Sequence, residues 1–303
     1  MKVRLHVHLE GLSGVDVPPW ELPRFHLGDF EISRLNQSQL PKLARTTAWY
    51  AATMQLDLGQ TNTLNPQPVY EKVDGLITCL RLFKPGYVGA NPLLMDMEKE
   101  GTWQRWPLEE GRTARDQQGG MIYALHDKEL PKLVDFAKEV FPLISSGRFA
   151  SLTNPCFQFF NRGINDVARN DFALAIVDFI SCLEAVLVPG NAELSHRLSE
   201  GVALVTERIP EKRRERYERC KDLYRLRSKV VHGERISYDD AALTLAQSLA
   251  RYTLRFMIAY YEMGLEKAEL VKDIESVSLG ETREFPDHAF KFVNDLPIPQ
   301  SGV

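Results

Sequence analysis

The sequence has few cysteines and no long apolar run. Its four cysteines are far apart and form no C-x-x-C pair: Cys79, Cys156, Cys182 and Cys220. This spacing predicts reduced thiols rather than a disulfide framework or a cysteine-based zinc site. No apolar stretch approaches the ~20 residues that a membrane-spanning helix requires. The N-terminal MKVRLHVHLEG carries charges where a signal peptide would be apolar. We therefore expect a cytoplasmic protein with no membrane partner.

The sequence also lacks a strong charge of one sign and several catalytic motifs. Its formal net charge is −4, with 44% hydrophobic and 26% charged residues, which is typical of a globular protein. Residues 1–145 contain no phosphate-binding glycine loop, no nucleophile elbow and no H-E-x-x-H motif. The length of 303 residues allows one large or two ordinary domains. The total charge gives no sign of a nucleic-acid partner, although a total can hide a local patch.

Residues 1–145 predict a mixed α/β domain. Apolar Val3, Leu5, Val7 and Leu9 alternate with polar residues, which is the pattern of a half-buried strand. A second strand is predicted over residues 24–32, and helices over 70–84 and 128–144, whereas 37–58 stays ambiguous between helix and strands.

Two polar clusters in this half invite a metal-site hypothesis. His6 and His8 share the polar face of the first strand, but no third ligand is evident nearby. Asp96, Glu98 and Glu100 form a short acidic cluster. We interpret both as solvent-exposed surfaces, and we predict no metal site.

Residues 146–266 predict four helices. The domain boundary is placed at Ser145-Ser146-Gly147, where small residues separate two periodic regions. Apolar residues at helical spacing predict helices over about 165–188, 191–207 (capped by Asn191), 210 to the end of the basic segment, and 239–264 (capped by Ser237). We expect an antiparallel four-helix bundle. Residues 267–303 are expected to finish a helix and then form a proline-containing tail on the surface.

The third of these helices is locally basic. Residues 207–235 contain eleven Lys/Arg and six Asp/Glu, a local charge of +5 in a chain of net charge −4. A basic ridge on an acidic body is typical of a phosphate-binding groove. The alternative is a solvated helix on which glutamates and arginines pair at i,i+4 spacing.

The segment LYRLRSKVVHGER, residues 223–235, is the most informative part of the chain. Leu223, Leu226 and Val230 predict an apolar helix stripe, extended by Val231, and Gly233 is well placed as the residue after the C-cap. Within it, an arginine and a histidine are separated by four residues: Arg227 and His232.

This spacing resembles the R-x4-6-H signature of HEPN domains, in which a polar residue often follows the arginine, as Ser228 does here. The surrounding residues are most similar to the Apea-like branch, which is linked to abortive infection and antiviral defence. The segment DFISCLEAVLV, which contains Glu184, is similar to the first HEPN helix. The resemblance covers about 165–264, and Glu234 departs from it, because many toxin-type members carry a tyrosine two residues after the histidine.

The resemblance implies an α+β protein: a mixed α/β N-terminal domain that senses, inhibits or recruits, followed by an all-α antiparallel four-helix HEPN-type bundle. It also implies a homodimer, because HEPN domains pair to set two motifs beside one cleft. The implied partners are RNA, including tRNA, and a protein of the defence system. The implied activity is endoribonuclease cleavage without a cofactor, leaving a 2′,3′-cyclic phosphate and a 5′-hydroxyl.

The motif residues suit that chemistry. A histidine can take the 2′-hydroxyl proton or protonate the leaving oxygen, and an arginine can hold the scissile phosphate. We expect His232 and Arg227 to be catalytic, with Ser228 and Glu184 supporting them. On a straight helix Arg227 and His232 point about 140° apart, so they converge only where the helix ends or across a dimer. Four further cations are expected to bind RNA phosphates: Lys229, Arg225, Arg235 and Lys221.

Two other functions remain open. In the first, the bundle is a catalytically silent dimerisation or partner-binding module, with His232 structural and Arg227 paired to Glu184. In the second, the same cleft binds a small phosphorylated ligand as a nucleotide sensor without cutting it.

Overall fold

The computed structural model describes residues 2–14, 24–34, 50–57, 67–99, 102–109, 123–145, 154–188, 190, 193–234, 240–281 and 284–293. The chain divides into two compact units, Met1–Leu152 and Thr153–Val303, a few residues after the boundary expected at 145. The first unit mixes strands and helices and the second is helical, so the protein is α+β.

The first unit is built on an antiparallel sheet of order β3-β4-β5-β1-β6-β7. Its strands are β1 (Lys2–Glu10), β3 (Phe25–Leu27), β4 (Phe30–Arg34), β5 (Tyr50–Asp57), β6 (Gly89–Lys99) and β7 (Thr102–Glu109). A separate parallel pair joins β2 (Leu12–Gly14) to β8 (Tyr123–Leu125). Two helices complete the unit, α1 (Gln67–Phe83) and α2 (Leu130–Ile144), the latter after a 3-10 turn at Asp127–Glu129.

The predicted strand at the N-terminus is confirmed, but its polar face is not solvated as expected. Leu5, Val7 and Leu9 are fully buried, and His8 is also buried, with 4% of its surface exposed. On the same face, His6 Nε2 lies 2.9 Å from Asp96 Oδ2 on the adjacent β6. Because β1 lies between β5 and β6, hydrogen bonding to both neighbours leaves it no free edge.

The single strand expected over residues 24–32 is wrong, because the segment is a hairpin. Strands β3 and β4 pair antiparallel around a turn at Gly28-Asp29. Gly28 has a φ of +55°, a left-handed conformation that glycine adopts at little cost. The strand pattern continues on both sides of the turn, so periodicity alone did not reveal it.

The predicted helices of the first unit are both present. The predicted apolar face of α1 is buried, including Leu76 and Leu80. After the helix, Lys84 Nζ donates to Ala124 O at 2.7 Å and to both carboxylate oxygens of Glu129 at 2.7 and 2.9 Å. This lysine therefore ties the end of α1 to the start of α2.

Among the described residues, the second unit has six α-helices, where four were predicted over 146–266 and a helical start at 267. They are α3 (Pro155–Ala168), α4 (Phe172–Leu187), α5 (Leu194–Thr206), α6 (Pro210–Val231), α7 (Asp240–Glu262) and α8 (Lys267–Ser278). The strongly apolar α4 packs against each of the other five, which places it at the centre of the core. The predicted start of the third helix at Pro210 is confirmed. The predicted caps Asn191 and Ser237 lie outside the described residues.

The long helix expected from 165 to 188 is wrong, because the chain breaks between α3 and α4. Asn170 has a φ of +60°, which no helix can continue through. Asp171 then caps α4 by accepting a hydrogen bond from the Leu174 backbone N–H at 3.4 Å. Asparagine and aspartate both favour such turns and caps, but the apolar spacing runs through them almost in phase.

The helical start expected at residue 267 is confirmed by α8, which packs against α4 and α5. The surface tail expected after this helix is wrong for its described part. Beyond α8, residues 284–293 contain a 3-10 turn, Asp287–Phe290, that packs against α7. The apolar residues of this segment are buried: Phe285, Ala289, Phe290, Phe292 and Val293.

Candidate active site on helix α6

Helix α6 carries the Arg-x4-His motif, and its buried side is narrow. Only Arg216, Cys220 and Leu223 are buried among its residues. They lie at i, i+4 and i+7 and therefore share one face, and Arg227 continues that line at i+11. The predicted apolar stripe is only partly correct, because Leu226 and Val230 are half-buried and Val231 is 54% exposed.

The C-terminus of α6 is confirmed as predicted. Gly233 has a φ of +78°, and its N–H donates to Val230 O at 2.9 Å. The N–H of Glu234 donates to Lys229 O at 3.0 Å. This pair of bonds is a Schellman motif, which requires a left-handed residue at the position after the C-cap. His232 is the C-cap residue, and its side chain is exposed at the very end of the helix.

Arg227 faces the core of the unit rather than solvent. Its Nη2 lies 3.5 Å from Glu184 Oε2 on α4, with side-chain exposures of 25% and 18%. Its guanidinium carbon also lies 5.7 Å from the centre of the Tyr224 ring. The pairing of Arg227 with Glu184, one of the two arrangements considered from the sequence, is therefore present.

The pair is only partly satisfied. Glu184 Oε1 and Arg227 Nε are buried atoms that make no hydrogen bond among the described residues. Burial raises the pKa of Glu184 above its ordinary value, and the charge of Arg227 offsets part of that rise. Burial also raises the pKa of Tyr224, with a smaller contribution in the same direction from Glu184. Buried polar atoms without a partner are costly, so this pair is held less firmly than a fully hydrogen-bonded one.

The motif residues do not converge within one chain. Arg227 points towards α4, whereas His232 is exposed beyond the last helical turn. Ser228 is half-buried, and its backbone carbonyl accepts the His232 N–H at 3.1 Å. A single chain therefore presents an arginine and a histidine on different sides of α6, as the 140° separation predicts.

The cations expected to bind phosphate occupy different surroundings. Lys229 is exposed at the last turn of α6. Arg225 is exposed but pairs with Asp222 at 2.6 Å. Lys221 is half-buried, with its ammonium 5.6 Å from the centre of the Tyr217 ring. Arg235 lies outside the described residues.

Most arginines of the basic segment already have carboxylate partners. Two pairs have the predicted i,i+4 spacing on α6, Arg214 with Glu218 and Arg219 with Glu215, each at 3.2 Å. Three further arginines pair with carboxylates that lie outside α6: Arg208 with Asp287, Arg213 with Glu284, and Arg216 with Glu207. The net charge of +5 already counts the carboxylates within residues 207–235, so among the described residues only the three partners outside that range, Glu184, Glu284 and Asp287, offset part of it.

Sequence reasoning missed the aromatic residues beside these cations. Tyr217 and Tyr224 are both half-buried on α6, and the Tyr217 hydroxyl lies 2.9 Å from His196 Nδ1 on α5. Arg213, Tyr217, Lys221, Tyr224 and Ser228 follow one another at three- or four-residue steps and so form one line along the helix. That spacing was readable in the sequence, but tyrosines among so many charges do not make an apolar stripe.

Within the part of the chain that the structure describes, no group of three or more His, Cys, Asp or Glu side chains could hold a metal ion. The same residues include no helix that is long and apolar enough to cross a membrane.

Comparisons with protein-family models, with curated proteins and with solved structures found no match to this chain.

Proposed function

We propose that the protein is an RNA endonuclease of the HEPN type, acting without a metal in anti-phage or stress defence. The observation that carries the proposal is the position of the motif. Arg227 is held beside Glu184 and Tyr224, and five residues later an exposed His232 ends the helix at a Schellman glycine. The exposed imidazole can transfer protons, and the half-buried guanidinium can bind phosphate.

In this proposal the scissile phosphate binds the accessible part of the Arg227 guanidinium, whose side chain is 25% exposed. His232 takes the proton of the 2′-hydroxyl, whose oxygen attacks the phosphorus, and the imidazolium so formed protonates the 5′-oxygen as its bond to phosphorus breaks. Glu184 fixes the arginine, and Ser228 orients the phosphate. The products are a 2′,3′-cyclic phosphate and a 5′-hydroxyl.

The proposal requires a homodimer. Because Arg227 and His232 face different sides of α6 in one chain, a complete site needs an arginine from one copy and a histidine from the other. A cleft of this kind would also place Lys229 of both copies beside the RNA, where its exposed ammonium can contact phosphates.

The test is cleavage of end-labelled total RNA and tRNA in EDTA. Wild type is compared with Arg227→Ala/His232→Ala at matched concentrations at which sedimentation shows a dimer. The control is Arg214→Ala/His26→Ala, which also removes one arginine and one histidine, both highly exposed and outside the motif. We expect wild type and the control to cut and the motif variant to lose at least a hundredfold in rate. Equal cleavage by the motif variant and wild type would refute the proposal.

Mixing the two single variants tests the shared site. Arg227→Ala and His232→Ala are each expected to be inactive alone. Exchange of subunits would create dimers with one intact arginine and histidine facing each other, so the mixture should recover part of the activity. An inactive mixture that contains heterodimers would show that both groups must come from one chain.

A second candidate is a catalytically silent bundle that binds a partner or a second copy. The ion pair between Arg227 and Glu184 favours it, because an arginine occupied by a carboxylate is not free to bind phosphate. In that case Arg227→Ala and His232→Ala would leave the defence phenotype intact. Substitutions at the exposed N-terminal end of α7, at Asp240, Ala241 and Thr244, that block association would abolish it.

A further inference from the structure

The C-terminal strap, which we define as residues 284–293, docks onto helix α7 through two aromatic anchors. The rings of Phe285 and Phe290 lie 5.2 and 5.1 Å from the centre of the Phe256 ring, both edge-on. The two anchors are 7% and 4% exposed. Edge-to-face ring contacts of this kind stabilise a packed cluster beyond its buried area. The strap is therefore an integral part of the helical unit.

The strap also brings carboxylates to the basic start of α6. Arg208 Nη2 lies 2.6 Å from Asp287 Oδ1, and the guanidinium carbon lies 4.7 Å from the centre of the Phe290 ring. Arg213 Nη2 lies 3.8 Å from Glu284 Oε1. Each arginine thus contacts a negatively charged oxygen, and Arg208 additionally contacts an aromatic face.

This combination matches the chemistry of single-stranded nucleic acid. A phosphate oxygen can replace each carboxylate while the Arg208 guanidinium stays over the Phe290 ring, since arginine binds anions and π faces at the same time. The strap carboxylates are easy to displace, because Asp287 is 90% exposed and Glu284 51% exposed. Ion pairs this exposed contribute little to stability.

The line of residues on α6 leads from Arg213 to the motif. From Arg213 the line passes Tyr217, Lys221 and Tyr224 and reaches Ser228, a distance of about 22 Å along the helix axis. Alternating cations and aromatic rings are what a single strand of RNA uses for its phosphates and bases. The strap covers one end of this line, and His232 lies at the other.

We propose that the carboxylates of the strap act as an internal competitor for RNA, occupying Arg208 and Arg213 until a single strand displaces them. This inference rests on the proposed RNA-binding function, and it assigns to the strap a role in regulating that same surface. RNA that reaches only the motif end would bind weakly, whereas RNA long enough to reach the strap would gain two further phosphate contacts.

The test is RNA binding by the full-length chain carrying Glu284→Gln/Asp287→Asn. These substitutions remove the competing charges but keep both aromatic anchors, so the strap remains folded. The control is Glu275→Gln/Glu281→Gln, which removes two carboxylates from the same region. Those carboxylates contact Arg197 on α5 and Ser276 on α8 rather than cations of the basic segment. Binding of a fluorescent single-stranded RNA of mixed sequence is measured by anisotropy over a range of salt concentrations, in protein carrying His232→Ala to prevent cleavage.

We expect the strap variant to bind roughly tenfold more tightly than the control at low salt. Because each phosphate contact to a single strand adds about 0.7 to the slope of log K against log salt, its slope should be steeper by roughly 1 to 1.5. Equal affinity and slope in both variants, with RNA binding intact, would overturn the role of the strap and leave the proposed function standing. Absence of RNA binding by every variant would overturn both.

Amide hydrogen exchange supplies an independent readout on the otherwise unsubstituted chain. If RNA takes Arg208 and Arg213 from the strap carboxylates, the strap loses two ion pairs but keeps its aromatic anchors. Peptides covering residues 284–293 should then exchange faster when RNA is added, while the core helix α4 stays protected. Unchanged or slower exchange in the strap of an RNA-bound chain would contradict the loss of these ion pairs.

Discussion

Two glutamate–arginine pairs anchor opposite ends of α6, and they differ in burial more than in distance. Near the start of the helix, Arg216 Nη2 lies 3.9 Å from Glu207 Oε2, with exposures of 7% and 2%. Near its end, Arg227 and Glu184 lie 3.5 Å apart with exposures of 25% and 18%. The first pair is part of the core, and the second borders the surface that carries the motif.

The difference shows that one helix can use the same kind of ion pair to stabilise the fold at one end and to build a candidate site at the other. Glu207 is held in several ways, since its side chain accepts the Ile209 N–H at 3.0 Å and its carbonyl accepts Arg213 Nε at 3.1 Å. Glu184 has no comparable support and keeps an unbonded buried oxygen among the described residues. A carboxylate fixed by a backbone N–H keeps its position, whereas one with an unbonded oxygen can exchange partners.

The largest effect on stability is expected from neutralising Glu207, the more buried of the two glutamates. Glu207→Gln leaves Arg216 charged in the core without its carboxylate, and should lower the free energy of unfolding by about 3 kcal/mol. Glu184→Gln should change it by less than about 1 kcal/mol in either direction, because burial already disfavours its ionised form and Arg227 can be hydrated. Chemical denaturation of both variants measures the difference. Similar losses in the two would show that the ends of α6 are equivalent.

A smaller effect is expected at the C-terminus of α6. Gly233→Ala should cost about 1 kcal/mol, because a Cβ meets no atom within 4 Å and only the left-handed backbone is strained. The control is Gly190→Ala, where a Cβ also meets nothing within 4 Å and φ is not positive, so little change or a slight gain is expected. If the proposed function is correct, Gly233→Ala should also lower RNA cleavage by displacing His232. A loss of stability at Gly190 as large as that at Gly233 would contradict the conformational argument.

The smallest effect is expected on how the free energy of unfolding depends on pH. Burial raises the pKa of Glu184 and Arg227 lowers it, so Arg227→Ala should raise that pKa further. A carboxyl whose pKa is higher in the folded state favours folding as the pH falls, because the folded state then binds more protons than the unfolded state. The variant should therefore gain more stability than wild type when the pH is lowered from about 7 to about 5.

The matched control for that measurement is Arg225→Ala. It removes the same charge two residues away, but its partner Asp222 is 69% exposed, and solvent screens the interaction. Its pH dependence should follow wild type. If the Arg227 variant also follows wild type, Arg227 does not influence the ionisation of Glu184.

Hydrophobic periodicity and capping residues predicted most helices and strands, but not the turns that interrupt two of them. The alternation of β1 and the apolar spacing of α1, α2 and α7 were strong enough to place those elements. The breaks at Gly28 and Asn170 were missed because the apolar pattern continues on both sides of each. Burial of His8 was missed for a different reason, since alternation describes one strand and says nothing of what covers its polar face.

The ends of α6 were determined by the sequence itself. Pro210 lacks the N–H that an interior helical residue must donate, and Gly233 adopts the left-handed conformation that closes the helix, so both effects are local. The Arg227–His232 spacing is equally a property of the sequence, and with it the impossibility of convergence on a straight helix.

Only the tertiary structure decided which cations of the basic segment are neutralised by carboxylates distant in the sequence. Arg227 meets Glu184 from α4, and Arg208 and Arg213 meet the carboxylates of the strap, residues distant in the chain. A count of charges along the sequence predicts a basic surface, but Coulomb attraction acts over a few ångströms of folded space. The partners therefore depend on how α4, α6 and the strap pack together.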